Sequence, residues 1–507
     1  MSRLFVRFHH ITFAYPSAAE PLFTDLSLHL PCGFSGIVGA NGTGKTTLLK
    51  LATGRLTPET GTIEAPARTV YCPQRTDDMP DRFAEFLAEP TKSAWTIRET
   101  LGIQADWLGR WATLSHGERK RTQIAVALCR EPEVLAIDEP TNHLDAPARQ
   151  VLITALRSFR GVGLLISHDR ELLDALCTQC VFLDPPDVTV RPGGVTKGSA
   201  AAVLERQTIQ RQHEQHKRAY KKIRREAARR ETLAQQAQRR RSKRGLAIKD
   251  HDAREKRDRA RVSGKDGVGG KLRRQLSGQL ARAEQRSETT RVKKEHELGI
   301  WLPGSISKRN TLLELPAGAL TLGENRHVQY PDLTIRPTDR IALTGANGAG
   351  KSTLVRHLLA ALEIPSEQLT YIPQEIDAEE SQTLLDQARK LANEQLGPLM
   401  TIVSRLGSRP ERLLASDQPS PGETRKLLLA LGMVHTPHII VMDESTNHMD
   451  LPSIEALETA LSECPCALLL VSHDRHFLRQ LTRVTWYIAA EDTPDALALQ
   501  VRERIDT

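Results

Sequence analysis

Two stretches of this 507-residue chain repeat one order of short apolar runs and glycine-rich turns. Gly36-Ile-Val precedes Gly39-Ala40-Asn41-Gly42-Thr43-Gly44-Lys45-Thr46, and Thr47-Leu-Leu-Lys-Leu follows it. Ile341-Ala-Leu-Thr precedes Gly345-Ala346-Asn347-Gly348-Ala349-Gly350-Lys351-Ser352, and Thr353-Leu-Val-Arg-His-Leu-Leu follows. An apolar run, a glycine loop and an apolar-periodic stretch predict strand, loop and helix in that order. Val134-Leu-Ala-Ile and His438-Ile-Ile-Val-Met are short continuous apolar runs ending in acids. That is the pattern of parallel strands buried on both faces. The predicted fold class is α/β, with carboxylates at the strand ends where such sheets place ligands.

The repeat extends to the spacing. Asp138-Glu139-Pro-Thr-Asn-His-Leu-Asp145 returns as Asp443-Glu444-Ser-Thr-Asn-His-Met-Asp450, and Ser167-His168-Asp169-Arg170 as Ser472-His473-Asp474-Arg475. Lys45 precedes Asp138 by 93 positions and Lys351 precedes Asp443 by 92, while each Asp precedes its His by 30. Two copies of one domain are expected, over residues 1–190 and 306–507, with a different segment over 191–305.

That middle segment changes the periodicity. Residues 203–244 lack Gly and Pro and are rich in Arg, Lys, Gln, Ala and Glu, which suits a helix. Gly245 interrupts it, Gly264–Gly270 is a strong breaker, and residues 271–298 have helical character again. We expect an antiparallel helical hairpin with a basic tip near 239–271 and a thin apolar stripe of Ile209, Tyr220, Ile223 and Ala227. Composition alone leaves a charged linker without fixed structure as the alternative.

Charge sharpens this contrast. Residues 201–300 hold 30 Lys+Arg and 13 Asp+Glu, a balance of +17, leaving −9 for the rest of a chain whose net charge is +8. A strongly basic middle between mildly acidic blocks points to a polyanionic partner, nucleic acid first. No segment approaches the ~18 consecutive apolar residues of a membrane span, and the N-terminus has no secretory apolar region. A cytoplasmic protein without membrane insertion is expected. The seven cysteines, including Cys177, Cys180, Cys464 and Cys466, are scattered and fit neither a disulfide framework nor a paired zinc pattern.

The repeated motifs carry a definite chemistry. Backbone N–H groups of a glycine loop point at phosphate oxygens, and a helix N-terminus adds its dipole. Lys45 and Lys351 are placed for the β/γ-phosphates, and Thr46 and Ser352 for Mg2+. Asp138 and Asp443 suit a Mg2+ role, and Glu139 and Glu444 are positioned to orient an attacking water. His168 and His473, repeated at fixed register, are candidate γ-phosphate sensors. Gln74 and Gln374 each follow Tyr-x-Pro and are candidates to reach metal or water. No Asn-Lys-x-Asp guanine motif occurs, which favours ATP.

The order of glycine loop, Gln74, Leu114-Ser115-His-Gly-Glu118, Asp138-Glu139 and His168 resembles an ATP-binding cassette. Ser115-x-Gly117-Glu118 and Ser420-x-Gly422-Glu423 resemble the cassette signature, each Ser lying 23 positions before its Asp. Two cassettes on one chain, a basic helical linker and Thr-Asn-His-Leu/Met-Asp resemble the ABC-F family. The resemblance implies ATP and Mg2+ as cofactors, an ATPase activity, and cassettes of one monomeric chain closing head to tail. One site would combine Gly39–Thr46, Thr47, Gln74, Glu139 and His168 with Ser420, Gly422 and Glu423 opposite. The other would combine Gly345–Ser352, Thr353, Gln374, Glu444 and His473 with Ser115, Gly117 and Glu118. Tyr15 resembles the aromatic that stacks on adenine and has no clear second counterpart. The resemblance also implies the ribosome and tRNA as partners of the basic linker, in translation generally or in ribosome protection against antibiotics. An exporter ATPase and a DNA-associated repair ATPase are the alternatives. His116, Pro419, Pro421 and Ser445 depart from the family pattern, so the two sites are expected to be unequal.

Overall fold

The structure is a computed structural model. It describes residues 4–241 and 304–503, except 17, 19, 143, 324, 325, 409, 417, 418, 448 and 491–495, together with residues 279 and 282.

In the first half, Gly33–Gly39 lies in the six-stranded sheet between Val162–Ile166 and Cys177–Asp184, parallel to both. Val134–Asp138 and then Thr69–Cys72 follow beyond Val162–Ile166, also parallel. Every residue of Val134–Asp138 and of Val162–Ile166 is buried, as expected for strands covered on both faces. Side chains alternate between two cores. Val134 and Ala136 join the core against a separate three-stranded antiparallel sheet, Phe23–Pro31, Phe5–Phe13 and Thr60–Glu64. Leu135 and Ile137 join the core formed with helices Lys92–Leu101, His116–Cys129 and Ala146–Arg157.

The second half repeats this with one difference. Its phosphate-loop strand Arg340–Gly345 pairs with Ala467–Val471 and Val484–Ala490, and Ile439–Asp443 follows Ala467–Val471, all parallel. Here the antiparallel strands Gly318–Leu322 and Arg326–Tyr330 join the main sheet through Ala496–Glu503, making eight strands. Again Ile439 and Val441 face one core and Ile440 and Met442 the other.

The two cassettes belong to one compact unit, and residues 199–297 form a second. Strand Asp187–Pro192 pairs with Cys177–Asp184, so first-half structure passes residue 190. A 47-residue helix, Val195–Arg241, begins before the expected position 203. Its start is explained by Asp174, which accepts from the Thr196 amide at 3.0 Å, and by Val195, which is fully buried. At ~1.5 Å per residue the helix is about 70 Å long. Tyr220, Ile223 and Ala227 are half-buried, and His213 and His216 extend that stripe at three- and four-residue spacing. The side chain of Ile209, the tip over 242–271, the breaker Gly264–Gly270 and the second arm lie outside the described residues, apart from helical residues 279 and 282. Among the described residues no helix is long and apolar enough to cross a membrane.

Candidate nucleotide sites at the cassette interface

Helices Lys45–Ala52 and Lys351–Ala361 start from Gly44 and Gly350, at φ 94° and 86°, and neither has a side-chain cap. A side chain is excluded at both positions. A Cβ on Gly44 would stand 2.7 Å from Phe23, and one on Gly350 2.6 Å from Leu322. The uncapped N–H groups therefore remain as donors at each helix start. Lys45 Nζ donates to the Gly39 and Ala40 carbonyls at 2.7 and 3.1 Å, and to Asn41 Oδ1 at 3.4 Å. Lys351 Nζ donates to the Gly345 and Ala346 carbonyls, both at 3.1 Å. Burial lowers the pKa of both ammonium groups.

The metal candidates differ between the sites. Asp138 Oδ2 accepts from Thr46 Oγ1 at 2.8 Å and from the Tyr71 hydroxyl at 3.2 Å. Ser352 Oγ instead donates to Gln374 Oε1 at 3.4 Å, as well as bonding Asp443. Asp443 Oδ1 is buried with no hydrogen-bond partner among the described residues, and burial raises its pKa. Gln74 and Gln374 are both exposed, each just past its edge strand. Tyr15 is edge-on to Phe13, and its hydroxyl shares a 2.9 Å hydrogen bond with Thr47 Oγ1. Thr353 is half-buried on the second loop helix.

Glu139 and Glu444 take left-handed backbone at φ 47° and 49°. Each is held there by its amide, which donates to the Ile166 and Val471 carbonyls at 2.9 and 2.8 Å. His168 Nε2 lies 3.0 Å from Glu139 Oε1, and His473 Nε2 lies 3.1 Å from Glu444 Oε1. Burial, with Asp138, pushes the Glu139 carboxyl up to about 8. Burial pushes Glu444 up to about 7. Burial and the Lys351 and Arg149 charges push His473 down to about 4, which leaves it neutral.

The signature segments hold their own helices. Ser115 and Ser420 are the N-caps of His116–Cys129 and Pro421–Val434, and Glu118 and Glu423 complete capping boxes. Both glutamates therefore have a structural role as caps. Pro421 occupies the first helical position, where its missing N–H would have no intrahelical partner anyway, so the cap is intact. Gly117 packs under Leu144, and Gly422 is buried. No hydrogen bond joins Ser115 or Ser420 to the opposite phosphate loop among the described residues.

The cassettes meet instead through Asp145 and Asp450, which sequence reasoning did not place. Asp450 Oδ2 accepts from the Asn41 amide at 2.7 Å, and Asp145 Oδ2 accepts from the Asn347 amide at 3.3 Å. Each also caps its own helix. The Leu451 amide donates to His168 Nδ1 at 3.2 Å, and Leu451 packs into the first cassette's core. The Asp that ends each Thr-Asn-His-Leu/Met-Asp repeat was the available signal.

A family described as ABC transporter matches residues 23–142 and 328–447. The ribosome protection protein VmlR of Bacillus subtilis (strain 168) is 27% identical over 463 residues, covering 88% of this chain and 80% of that protein. The ATP-binding protein Uup of Caulobacter vibrioides is 28% identical, covering 92% and 74%. The erythromycin resistance ATP-binding protein MsrA of Staphylococcus epidermidis is 26% identical, covering 90% and 92%. The chain carries two ATP-binding cassette domains and is similar to ABC-F proteins. Its fold is also that of a chain in a model of ribosome-bound archaeal Pelota and ABCE1, with TM-score 0.60 at 19% identity, covering 97% of this chain and 78% of that one.

ATP-binding cassette domains bind ATP, generally with Mg2+. This chain offers fitting groups. The uncapped donors after Gly44 and Gly350 suit phosphate, and the unpartnered Asp443 oxygen suits a hard cation. Sequence reasoning also missed two buried cations of the signature helices. Lys120 donates to the Pro73 and Asp138 carbonyls at 2.6 and 3.0 Å. Arg425, five residues past Ser420 as Lys120 is past Ser115, donates to the Gln374 and Asn447 carbonyls. Each ties a signature helix to the segment carrying the candidate glutamine.

Proposed function

We propose that this chain hydrolyses MgATP at two shared sites and acts on the ribosome, its basic middle helix contacting ribosomal RNA and tRNA. The observation that carries the reading is reciprocal: Asp145 bonds the second phosphate loop and Asp450 the first. Each nucleotide site is thereby bounded by both cassettes. Lys45 and Lys351 would hold the β/γ-phosphates. Thr46 with Asp138, and Ser352 with Asp443, would hold Mg2+, with Gln74 and Gln374 reaching toward it. Glu139 and Glu444 would orient the attacking water, and His168 and His473 would sense the γ-phosphate. Ser115, Gly117, Ser420 and Gly422 would complete the opposite site. The resemblance to VmlR and MsrA, named for ribosome protection and erythromycin resistance, supports a role in translation, with protection against antibiotics as its specific form. Such a factor works in the cytoplasm.

The test is sedimentation. The double variant E139Q/E444Q, loaded with ATP, should co-sediment with ribosomes at low salt and release as salt rises, because RNA contacts exchange for counterions. Failure to co-sediment at low salt would exclude the ribosome. Recovery with DNA or a membrane complex would favour those partners instead.

A further inference from the structure

The two cassettes repeat each other closely, yet the ties between them do not. Arg149 lies on helix Ala146–Arg157, four positions after Asp145, and is buried. Its Nε is 2.6 Å from Asp169 Oδ2, and its Nη1 donates to Glu171 Oε2 at 3.2 Å. Its Nη2 donates across the interface to the main-chain carbonyl of His473 at 3.1 Å. One guanidinium thus spans the turn after His168 and the backbone of the opposite histidine. Its planar fork suits three such partners at once.

The second cassette has no equivalent. Ile454 stands four positions after Asp450, where the repeat would place a second arginine. Arg149 and Ile454 line the same small cavity, together with His168 and His473. His168 is held differently, by the Leu451 amide on its ring Nδ1. That bond makes Nδ1 the acceptor and leaves the proton on Nε2, toward Glu139. His473 Nε2 is hydrogen-bonded to Asn347 Oδ1 at 2.9 Å and lies 3.1 Å from Glu444 Oε1, while Arg149 grips its backbone.

We infer that Arg149 is a positioning residue for His473, making turnover at the second phosphate loop depend on an arginine of the first cassette whose repeat position in the second cassette is Ile454. The inference rests on the nucleotide-hydrolysis reading. It is tested in single-site proteins: E139Q leaves the second site to turn over, and E444Q the first. R149M, similar in length and uncharged, is placed in both. At the second site kcat should fall about tenfold with KM for ATP changed less than about twofold, and at the first site kcat should fall less than about threefold. R149K, which can still donate to the carbonyl, should recover most of the second-site rate. Equal losses at both sites, or no loss at the second, would overturn the inference. A loss that R149K does not relieve would overturn it too. If neither single-Gln parent hydrolyses ATP above the level of E139Q/E444Q, the hydrolysis reading fails and this inference with it.

Discussion

Glu139 and Glu444 combine left-handed backbone, near-complete burial and a raised carboxyl pKa. Residues other than glycine occupy that backbone region at a cost of order 1–3 kcal/mol, here offset by the amide bonds to Ile166 and Val471. The pKa has a consequence for stability. Glu139 titrates at about 8 when folded against an ordinary 4.5, so the folded state holds its proton over that window while the unfolded chain has lost it. Stability from this group is full at low pH and is lost as pH rises through about 8. Glu444 acts in the same direction, its contribution falling away between about 4.5 and about 7. E139Q/E444Q keeps shape and removes both titrations. Its melting temperature should therefore fall less than the parent's between pH 5 and 8, as thermal denaturation across that range would register. A parallel fall in both proteins would mean that neither glutamate holds the extra proton.

Helices and strands show where the chain's own pattern was sufficient. The all-buried strands Val134–Asp138 and Ile439–Asp443 were legible because a continuous apolar run ending in an acid has few other folds. The phosphate loops were legible because glycine at positive φ leaves a local mark. The helix start at Val195 was not, because it depends on Asp174, a residue distant in sequence. Nor was the capping role of Glu118 and Glu423, because a nucleotide-contact motif and a capping box share the Ser-x-x-Glu spacing. The caps can be checked directly. Ser115→Ala and Ser420→Ala should each cost about 1 kcal/mol in urea unfolding. The two costs should be similar, since Pro421 leaves the second cap intact. A much smaller cost for Ser420→Ala would show that the flanking prolines already hold that turn.

At the scale of the whole molecule, the cross-cassette contacts are what no repeat spacing encodes, since spacing within each half is silent on how the halves meet. One of them is unsymmetrical, like Arg149. Arg170 Nη1 and Nη2 donate to Glu458 Oε1 and Oε2 at 2.6 and 3.0 Å, with both side chains buried. His476 also contacts this pair. The repeat places Arg475 opposite, but Arg475 is exposed and only 4.0 Å from Glu171, while Ile153 occupies the position matching Glu458. Removing one partner of a buried pair strands the other charge, at a cost of about 3–5 kcal/mol. Replacing both with apolar residues avoids that cost. Glu458→Leu should therefore destabilise the cassette unit by about 3 kcal/mol, and R170M/E458L should recover most of it in denaturant unfolding. Because the pair spans the halves, the single variant should also separate the melting of the two cassettes, which calorimetry would resolve as two transitions in place of one. An unchanged single transition would mean that Asp145, Asp450 and Leu451 suffice to join the cassettes. In that case the buried pair would set their relative placement without adding to their cohesion.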